Sequence, residues 1–365
     1  MRSVYFVQCK YPNDNVELNN LLERWNLYGS RLDQSTGKKT IAVVSPRGLP
    51  NLDKDFEFLK FENKEKGLFR CLFLVVRKIR KLGVKVTFVA GDNQLALLFC
   101  IFSSSLLREK VRIQSQFHGD LYSRQVNRGV RGNIRVFTSW AAIRVSNSIR
   151  IVSRFQETQL RERYPKIKGD FIIAPIPVDY SKIATINISS PVYDLVLVGR
   201  LHPERGISDA TTIIKQLSEN NPDLKILIVG RGQDEEKMKK VLQNQVSRGV
   251  VEFVGSINPT ELRNIYSKTK VLLSAAPSEG YGLTLREAAL NGLQVVARAN
   301  LGSDEASLDF PDHISLYGDI PEAISIIESA LKLERDCVPL KGLLAVQRLR
   351  EKSGLEALIT SWIKD

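Results

Sequence analysis

The stretch Ser274–Gly292, SAAPSEGYGLTLREAALNG, contains the pattern that decides the fold. The apolar run 271–273 just before it predicts a buried strand, and the run 283–290 predicts a helix that stops at Asn291–Gly292. A glycine-bearing loop joins the two. Because the first N–H groups of a helix have no partner within it, this junction is expected to bind an anion. The N–H groups concerned belong to Gly280, Tyr281, Gly282 and Leu283.

Two carboxylates, Glu279 in the loop and Glu287 in the helix, bracket this junction. A carboxylate repels a phosphate, so we interpret both as acceptors of hydrogen bonds from hydroxyls. Sugar hydroxyls at one carboxylate and ribose hydroxyls at the other suit a nucleotide sugar. The alternative is structural, with Glu279 as a near-cap residue that favours the helix dipole and Glu287 as a solvated helix residue.

A second pattern lies upstream in Leu195–Gly206, LVLVGRLHPERG, which predicts a strand, a Gly-Arg-Leu turn and a helix start. Together, this pattern and PSEGYGLTLREAALNG resemble the retaining glycosyltransferases of family 4, in which two glutamates are separated by seven residues. The resemblance extends from about Asp194 to Gly302. One departure is Arg205, which stands where lysine is usual in that family.

The resemblance implies an α/β protein of the GT-B fold, with two Rossmann-like domains facing across a cleft. The expected domains are residues 1–178 for the acceptor and 179–340 for the nucleotide sugar. A helix over 341–365 is expected to pack back on the first domain. The hinge is placed at the proline-bracketed segment 175–179.

The resemblance also implies roles for individual residues. Glu279 would hold hydroxyls of the transferred sugar, Glu287 would hold the ribose, and His118 would lie beside the sugar at the reaction centre. Arg200 and Arg205 would neutralise the diphosphate as it leaves. The remaining residues expected at the donor are Gly199, Gly230, Gly280, Tyr281, Gly282 and Leu283, with 300–305 lining the same cleft.

His118 follows a predicted strand over 111–117, and ligands of open parallel sheets bind outside the carboxyl ends of strands. The alternative is a turn histidine without a ligand. The family generally needs no metal, so neither a metal nor another cofactor is expected. The substrates are expected to be a nucleotide-sugar donor and a saccharide or lipid-linked acceptor.

Two other functions are compatible with parts of the sequence. One is an epimerase acting on nucleotide sugars without transfer, although such enzymes lack the strong Glu-seven-Glu arrangement. The other is a non-catalytic sugar- or nucleotide-binding module, which is suggested by the first loop. That loop, Cys9–Asn15, has no glycine, whereas family members usually carry a glycine-rich loop there.

Composition predicts a soluble two-domain protein of cytoplasmic location. A chain of 365 residues with 43% hydrophobic content suffices for two cores. The four cysteines have no paired or metal-like spacing, which favours reduced thiols. The most apolar stretch, 95–102, is too short to span a bilayer, and no signal peptide precedes the first strand.

The charge is strongly asymmetric. Residues 1–183 contain 32 Lys and Arg against 16 Asp and Glu, a net charge of +16, whereas the remainder is at −3. We expect the first half to meet an anionic membrane surface or a lipid-phosphate acceptor at the inner membrane face. Nucleic acid is not expected, because no nucleic-acid motif is present. The alternative is a solvated basic surface.

One segment of that half, 67–81, combines apolar and basic residues and predicts a helix. Its basic residues are Arg70, Arg77, Lys78, Arg80 and Lys81. Either it binds a membrane peripherally, or it is a buried helix that ends in a solvated basic turn.

Overall fold

A computed structural model describes residues 2–7, 27–32, 41–44, 57–59, 67–83, 85–91, 94–107, 111–120, 122, 129–178, 183, 191–333 and 340–363. The chain divides into two compact units. Unit 1 comprises Met1–Pro175 and Lys352–Asp365, and unit 2 comprises Ile176–Glu351. Among the described residues, no helix is both long and apolar enough to cross a membrane.

Unit 1 is built on a parallel sheet, which has the described order β3-β2-β1-β4-β5-β6-β7. Its strands are β1 (Arg2–Val7), β2 (Ile41–Val44), β3 (Glu57–Leu59), β4 (Lys85–Ala90), β5 (Val111–Gln116), β6 (Ser148–Ile151) and β7 (Asp170–Ile173). Its helices are α1 (described over 27–32), α2 (Gly67–Leu82), α3 (Gln94–Leu107), α4 (Gly129–Val145) and α5 (Arg154–Arg163).

Unit 2 repeats the plan with the order β10-β9-β8-β11-β12-β13. Its strands are β8 (Tyr193–Val198), β9 (Ile226–Val229), β10 (Val251–Gly255), β11 (Thr269–Ser274), β12 (Gln294–Arg298) and β13 (Ile314–Tyr317). Its helices are α6 (Ile207–Asn220), α7 (Glu235–Val241), α8 (Gln243–Ser247), α9 (Pro259–Ser267), α10 (Leu283–Leu290), α11 (Leu301–Asp309) and α12 (Ile320–Lys332). All residues of β9 are buried, as expected for a parallel strand covered by helices on both faces.

The final helix, α13 (Leu340–Ile363), belongs to both units, with its first half in unit 2 and its second half in unit 1. At its end, Trp362 is fully buried and its ring lies 5.2 Å from that of Phe6 and 5.3 Å from that of Tyr28. Its indole Nε1 donates to Oε1 of Gln114 on β5 at 2.6 Å. The core of unit 1 therefore includes residues from both ends of the described chain.

The predicted strands and helices of both units agree with the structure to within one or two residues wherever the residues are described, except that the first helix, predicted to end at Tyr28, continues to Leu32. Six elements are not predicted from the sequence, namely α4, α8, α11, α12, β3 and β13. The glycine-free loop Cys9–Asn15 and most of the helix predicted over 16–28 lie outside the described residues.

Candidate functional site

The site of unit 2 lies where the strand order reverses. From β8 the chain moves outward to β9 and β10, and from β11 it moves in the opposite direction to β12 and β13, so β8 and β11 are neighbours with diverging connections. In open α/β sheets, ligands bind in the crevice outside the carboxyl ends of two such strands. The two sequence motifs follow these two strands.

After β8, the chain passes through Gly199 and Arg200 into a short turn at Pro203–Arg205. Gly206 then starts α6 with φ 66°, a conformation that favours glycine. A β-carbon at Gly206 would lie 1.9 Å from the carbonyl oxygen of Ala275, directly after β11. The absence of a side chain here therefore lets the start of α6 approach the end of β11.

The backbone at the ends of β8 and β9 also lies in close contact. Gly230 has φ 132°, and a β-carbon there would lie 1.9 Å from the carbonyl oxygen of Gly199. The N–H of Gly230 donates to the carbonyl of Gly255 at 2.8 Å. Arg200 extends from this edge with most of its side chain exposed, 4.0 Å from Glu204.

After β11, Gly282 immediately precedes α10 and has the left-handed conformation with φ 69°. No side chain caps this helix start, so its first N–H groups are not used by a capping residue. Gly280, Tyr281 and Gly282 are all buried. The glycine loop and the helix start lie where the sequence predicts them, and anion binding by this junction stays a prediction.

The two motifs meet in an ion pair between Arg205 Nη1 and Glu279 Oε1. The Glu279 side chain is only 11% exposed and that of Arg205 is 37% exposed. The second carboxylate oxygen of Glu279, Oε2, is buried without a hydrogen-bond partner among the described residues. A buried carboxylate oxygen in that state lacks a donor that a ligand hydroxyl could supply.

Glu287 lies on α10 with 3% of its surface exposed, so it is not the solvated helix residue of the structural alternative. Its negative charge adds to the effect of burial in raising the pKa of Tyr266, with burial the larger cause. The amide of Asn291 donates to the backbone carbonyl of Glu287 at 2.8 Å. Burial of a carboxylate in such a place is costly unless it serves as an acceptor.

The Tyr281 side chain turns into the protein. Its hydroxyl accepts a hydrogen bond from Gln347 Nε2 on α13 at 2.9 Å, and the Arg286 guanidinium lies 4.1 Å above its ring. Arg286 is fully buried and donates through Nε to the carbonyl of Tyr281 at 3.1 Å. Tyr281 therefore offers its backbone to the junction, while its side chain anchors the loop.

The contacts that hold the Tyr281 side chain continue into further polar contacts, which the sequence analysis did not predict. Arg286 pairs with Asp309, which also pairs with Arg350 on α13. Gln347 donates to Glu351 at 2.9 Å, and the same Glu351 oxygen accepts from the N–H of Val178 at 2.9 Å. Apart from Gln347 and Glu351, which are four positions apart on α13, these partners are separated by between 23 and 173 positions, so nothing local in the sequence signals them.

Gly302, at the start of α11, packs against the loop between β11 and α10. Its N–H donates to the carbonyl of Glu279 at 3.0 Å. A β-carbon there would lie 2.9 Å from both that carbonyl oxygen and the N of Tyr281. The segment 300–305, expected from the sequence to line the cleft, thus contacts the loop directly.

His118 lies in unit 1, two residues after β5, and is half-buried. Its neighbour Gly119 accepts a hydrogen bond through its carbonyl from Gln156 Nε2 at 2.9 Å. The strand-end position predicted for His118 is confirmed. Among the described residues, no group of three or more His, Cys, Asp or Glu is arranged to hold a metal ion.

Unit 2 thus places a cation, a carboxylate with an unused oxygen and an uncapped helix start at one switch point. Residues 182–316 match the family model of glycosyl transferases group 1. This match contains both motifs and covers little more than a third of the chain. It supports the recognition of the group 1 glycosyltransferases from those motifs.

A curated relative is the UDP-N-acetylglucosamine–peptide N-acetylglucosaminyltransferase GtfA subunit of Streptococcus pneumoniae serotype 4, 30% identical over 104 residues. The similarity spans 28% of this chain and 20% of that protein, so the chain matches about a fifth of the relative's length. A human phosphatidylinositol N-acetylglucosaminyltransferase subunit is 29% identical over 103 residues, spanning 28% of this chain and 21% of that protein.

Among solved structures, the lipopolysaccharide outer core galactosyltransferase WaaB superimposes with a TM-score of 0.69 and 14% identity, covering 99% of this chain and all of WaaB. HepE of Anabaena, solved with UDP, gives a TM-score of 0.70 and 16% identity, covering 98% of this chain and 99% of HepE. At such identities the similarity concerns the fold. The predicted fold, two Rossmann-like α/β units of the GT-B type, is confirmed.

Proposed function

We propose that this chain is a retaining glycosyltransferase that moves a sugar from a nucleoside-diphosphate sugar to a saccharide or lipid-linked acceptor. The acceptor would belong to polysaccharide, lipopolysaccharide or glycolipid synthesis. The observation that carries the proposal is the ion pair between Arg205 and Glu279 beside the uncapped start of α10. It brings a cation, a hydroxyl acceptor and free N–H groups to one switch point.

The leaving diphosphate gains negative charge as its bond to the sugar breaks, so stabilisation must come from positive groups near it. In our proposal Arg200, Arg205 and the N–H groups at the start of α10 supply them. A guanidinium has five N–H donors, so the pair with Glu279 leaves Arg205 able to bind a phosphate oxygen as well. We propose that no metal ion is required for this neutralisation.

The sugar would be held by Glu279. Its Oε2 is buried and without a hydrogen-bond partner among the described residues, and a sugar hydroxyl would satisfy it. Arg205, paired with the other oxygen, fixes the direction of the carboxylate. Glu287 is proposed to accept from the ribose hydroxyls, and His118 to lie beside the transferred sugar.

The comparisons support this class of function. The curated relatives named above are transferases of N-acetylglucosamine, and HepE was solved with UDP. They do not favour an epimerase or a non-catalytic module. A uridine diphosphate donor is therefore the first to test, and a hexose or N-acetylhexosamine the first sugar.

The experiment is calorimetric titration with UDP, followed by hydrolysis and transfer assays with a panel of UDP-sugars, with and without EDTA. Arg205→Ala should weaken UDP binding about tenfold or more, because a charge-assisted hydrogen bond is worth about 1.5 to 3 kcal/mol. Glu279→Gln should retain UDP binding and lose turnover of the sugar. Arg248→Ala, an exposed arginine of the same unit, is the matched control.

NMR of the product's anomeric centre tests retention. If the wild-type chain binds no nucleoside diphosphate, or if Arg205→Ala and Glu279→Gln behave as Arg248→Ala does, the proposed site is wrong. If the product forms with inverted configuration, the retaining assignment alone is wrong.

A further inference from the structure

Three consecutive helices of unit 1, α2, α3 and α4, lie side by side on one face of its sheet. They connect β3, β4, β5 and β6, and each connection advances in the same direction across the parallel strands. Right-handed crossovers that advance in one direction place their helices on one face. Contacts join α2 to α3 and α3 to α4.

The outward surface of α3 is apolar. Leu95, Leu98, Phe102 and Leu106 are exposed, at the spacing of three and four that forms one stripe along a helix. The opposite side, with Leu97 and Phe99 among others, is buried against the sheet. A helix of a soluble protein ordinarily presents polar residues to water, and this helix presents a leucine and phenylalanine stripe instead.

The two helices packed against α3 also carry exposed apolar side chains. On α4, Val130 is 76% exposed and Phe137 is 64% exposed, with Ile134 between them in the same stripe. On α2, Phe73 is 63% exposed while Val75, Val76 and Ile79 are buried. Exposed apolar side chains on three adjacent helices exceed what scattered surface residues produce, and such patches mark interaction sites.

The charges of the same helices have one sign. The sequences of α2, α3 and α4 contain eight Lys and Arg residues and no Asp or Glu. Arg77, Arg80 and Lys81 are exposed on α2. Arg80 donates to the carbonyl of Leu106 at 3.0 Å, which places the basic end of α2 beside the apolar stripe of α3.

A pocket of about 210 Å³ lies at the far end of α4, lined by Trp140, Arg144, Arg163, Tyr164 and Lys166 among others. The Arg144 guanidinium lies 4.8 Å from the centre of the Trp140 ring, and that ring lies 5.5 Å from Phe137. Basic groups and aromatic rings that adjoin an apolar stripe suit the level of phospholipid headgroups.

We infer that the apolar–basic face formed by α2, α3 and α4 docks on an anionic lipid bilayer. The exposed leucines and phenylalanines would enter the boundary between headgroups and acyl chains, and the basic residues would contact anionic headgroups. A second copy of this face is disfavoured as the occupant, because two such faces would bring like charges together without an acidic partner. The inference is independent of the donor site and goes beyond the transfer reaction.

The test is flotation of the full chain with vesicles of phosphatidylcholine alone and of phosphatidylcholine mixed with phosphatidylglycerol. We expect binding to the mixed vesicles that weakens as salt is raised. Each basic residue near an anionic surface contributes about fivefold in partitioning, so the pair Arg77→Glu and Lys81→Glu should lower binding by at least about 25-fold. Phe102→Ser with Phe137→Ser should lower it as well, without removing the salt dependence.

The matched controls lie in unit 2. Lys237→Glu with Lys240→Glu changes two exposed charges, and Leu308→Ser changes an exposed leucine, and neither should alter vesicle binding. Quenching of tryptophan fluorescence by brominated lipids supplies a measurement on native helices, and Trp140→Phe should reduce that quenching.

Equal vesicle binding by the unit 1 and unit 2 variants would overturn the inference. So would equal binding to neutral and anionic vesicles. Sedimentation of each protein without lipid tests whether a second copy of the chain, and not a bilayer, covers this face. If the wild type self-associates and Phe102→Ser with Phe137→Ser abolishes association without changing vesicle binding, the face is a contact between copies and the inference is wrong.

Discussion

Replacing Gly302 by alanine should disturb the candidate site without touching any charged group. The new β-carbon would lie 2.9 Å from the Glu279 carbonyl oxygen and from the Tyr281 N, whereas ordinary contacts begin at 3.4 Å. Each contact must open by 0.5 Å, and both atoms belong to backbone that cannot rotate away. Overpacking of this kind costs about 1 to 3 kcal/mol.

Two measurements follow from that displacement. In a unit of this size Tm falls by about 3 °C per kcal/mol, so Gly302→Ala should melt about 3 to 9 °C below the wild type. The moved loop includes Gly280 and Glu279, so the affinity for a nucleoside diphosphate should fall about tenfold, which is the value of one charge-assisted hydrogen bond. Differential scanning fluorimetry and calorimetric titration measure the two effects.

The control is Gly318→Ala, whose β-carbon would meet only the Glu322 carboxylate at 3.5 Å, an ordinary contact. Gly318→Ala should keep the wild-type Tm and affinity. If Gly302→Ala also keeps the wild-type Tm, the argument from packing is wrong. If its Tm falls while its affinity stays unchanged, the loop is supported by Gly302 but does not bind the nucleotide.

Two further changes test the anchor of the loop and a buried histidine. Gln347→Leu leaves the buried Tyr281 hydroxyl without its donor, so the free energy of unfolding measured in urea should fall by about 1 to 3 kcal/mol. The control is the same change at an exposed glutamine, Gln243→Leu, which should have little effect. Equal stability of the two variants would contradict the role of that hydrogen bond. Burial lowers the pKa of His313 below its ordinary value of 6.5. Above that pH the imidazole is neutral in both states, and below it the unfolded chain takes up the proton first, so stability declines as pH falls towards the folded-state pKa. His313→Asn should therefore lose less stability than the wild type between about pH 7.5 and about pH 5.5, and parallel curves would exclude His313 as a cause.

Much of unit 2 could be predicted because its strands are short, apolar and separated by glycine turns. The strand β9 and the helix α10 follow directly from periodicity and from stop residues. The helix α11 is not predicted from the sequence, in which Asn300, Ser303 and Asp304 are typical loop residues. In the structure Asn300 and Ser303 form a capping box, so the same polar residues start a helix.

The helix α4 was missed for a different reason. Its Val130, Ile134 and Phe137 are exposed, so the apolar residues do not divide into one inner face and one polar outer face. Periodicity assumes that apolar residues point inward, and a helix with an apolar outer stripe violates that assumption. The failure and the inferred membrane face have the same physical origin.

The candidate site was predicted in its residues but not in its contacts. The family resemblance predicts that Arg205 and Glu279 are neighbours of a ligand, but their ion pair depends on β8 and β11 being adjacent, which the order of elements along the chain does not state. The packing of Gly302 against the loop has the same dependence on strand order. The roles of these residues in binding and transfer stay predictions.

The division of α13 between the units has a consequence for biosynthesis. Unit 1 needs Trp362 to complete the cluster around Phe6 and Tyr28, yet residue 362 is translated after the whole of unit 2. Domains generally fold in the order of their synthesis, from the N-terminus onward. Here unit 2 has all its residues before unit 1 does. Until α13 emerges, the apolar cluster beside β1 is incomplete, so we expect unit 1 to complete its core last.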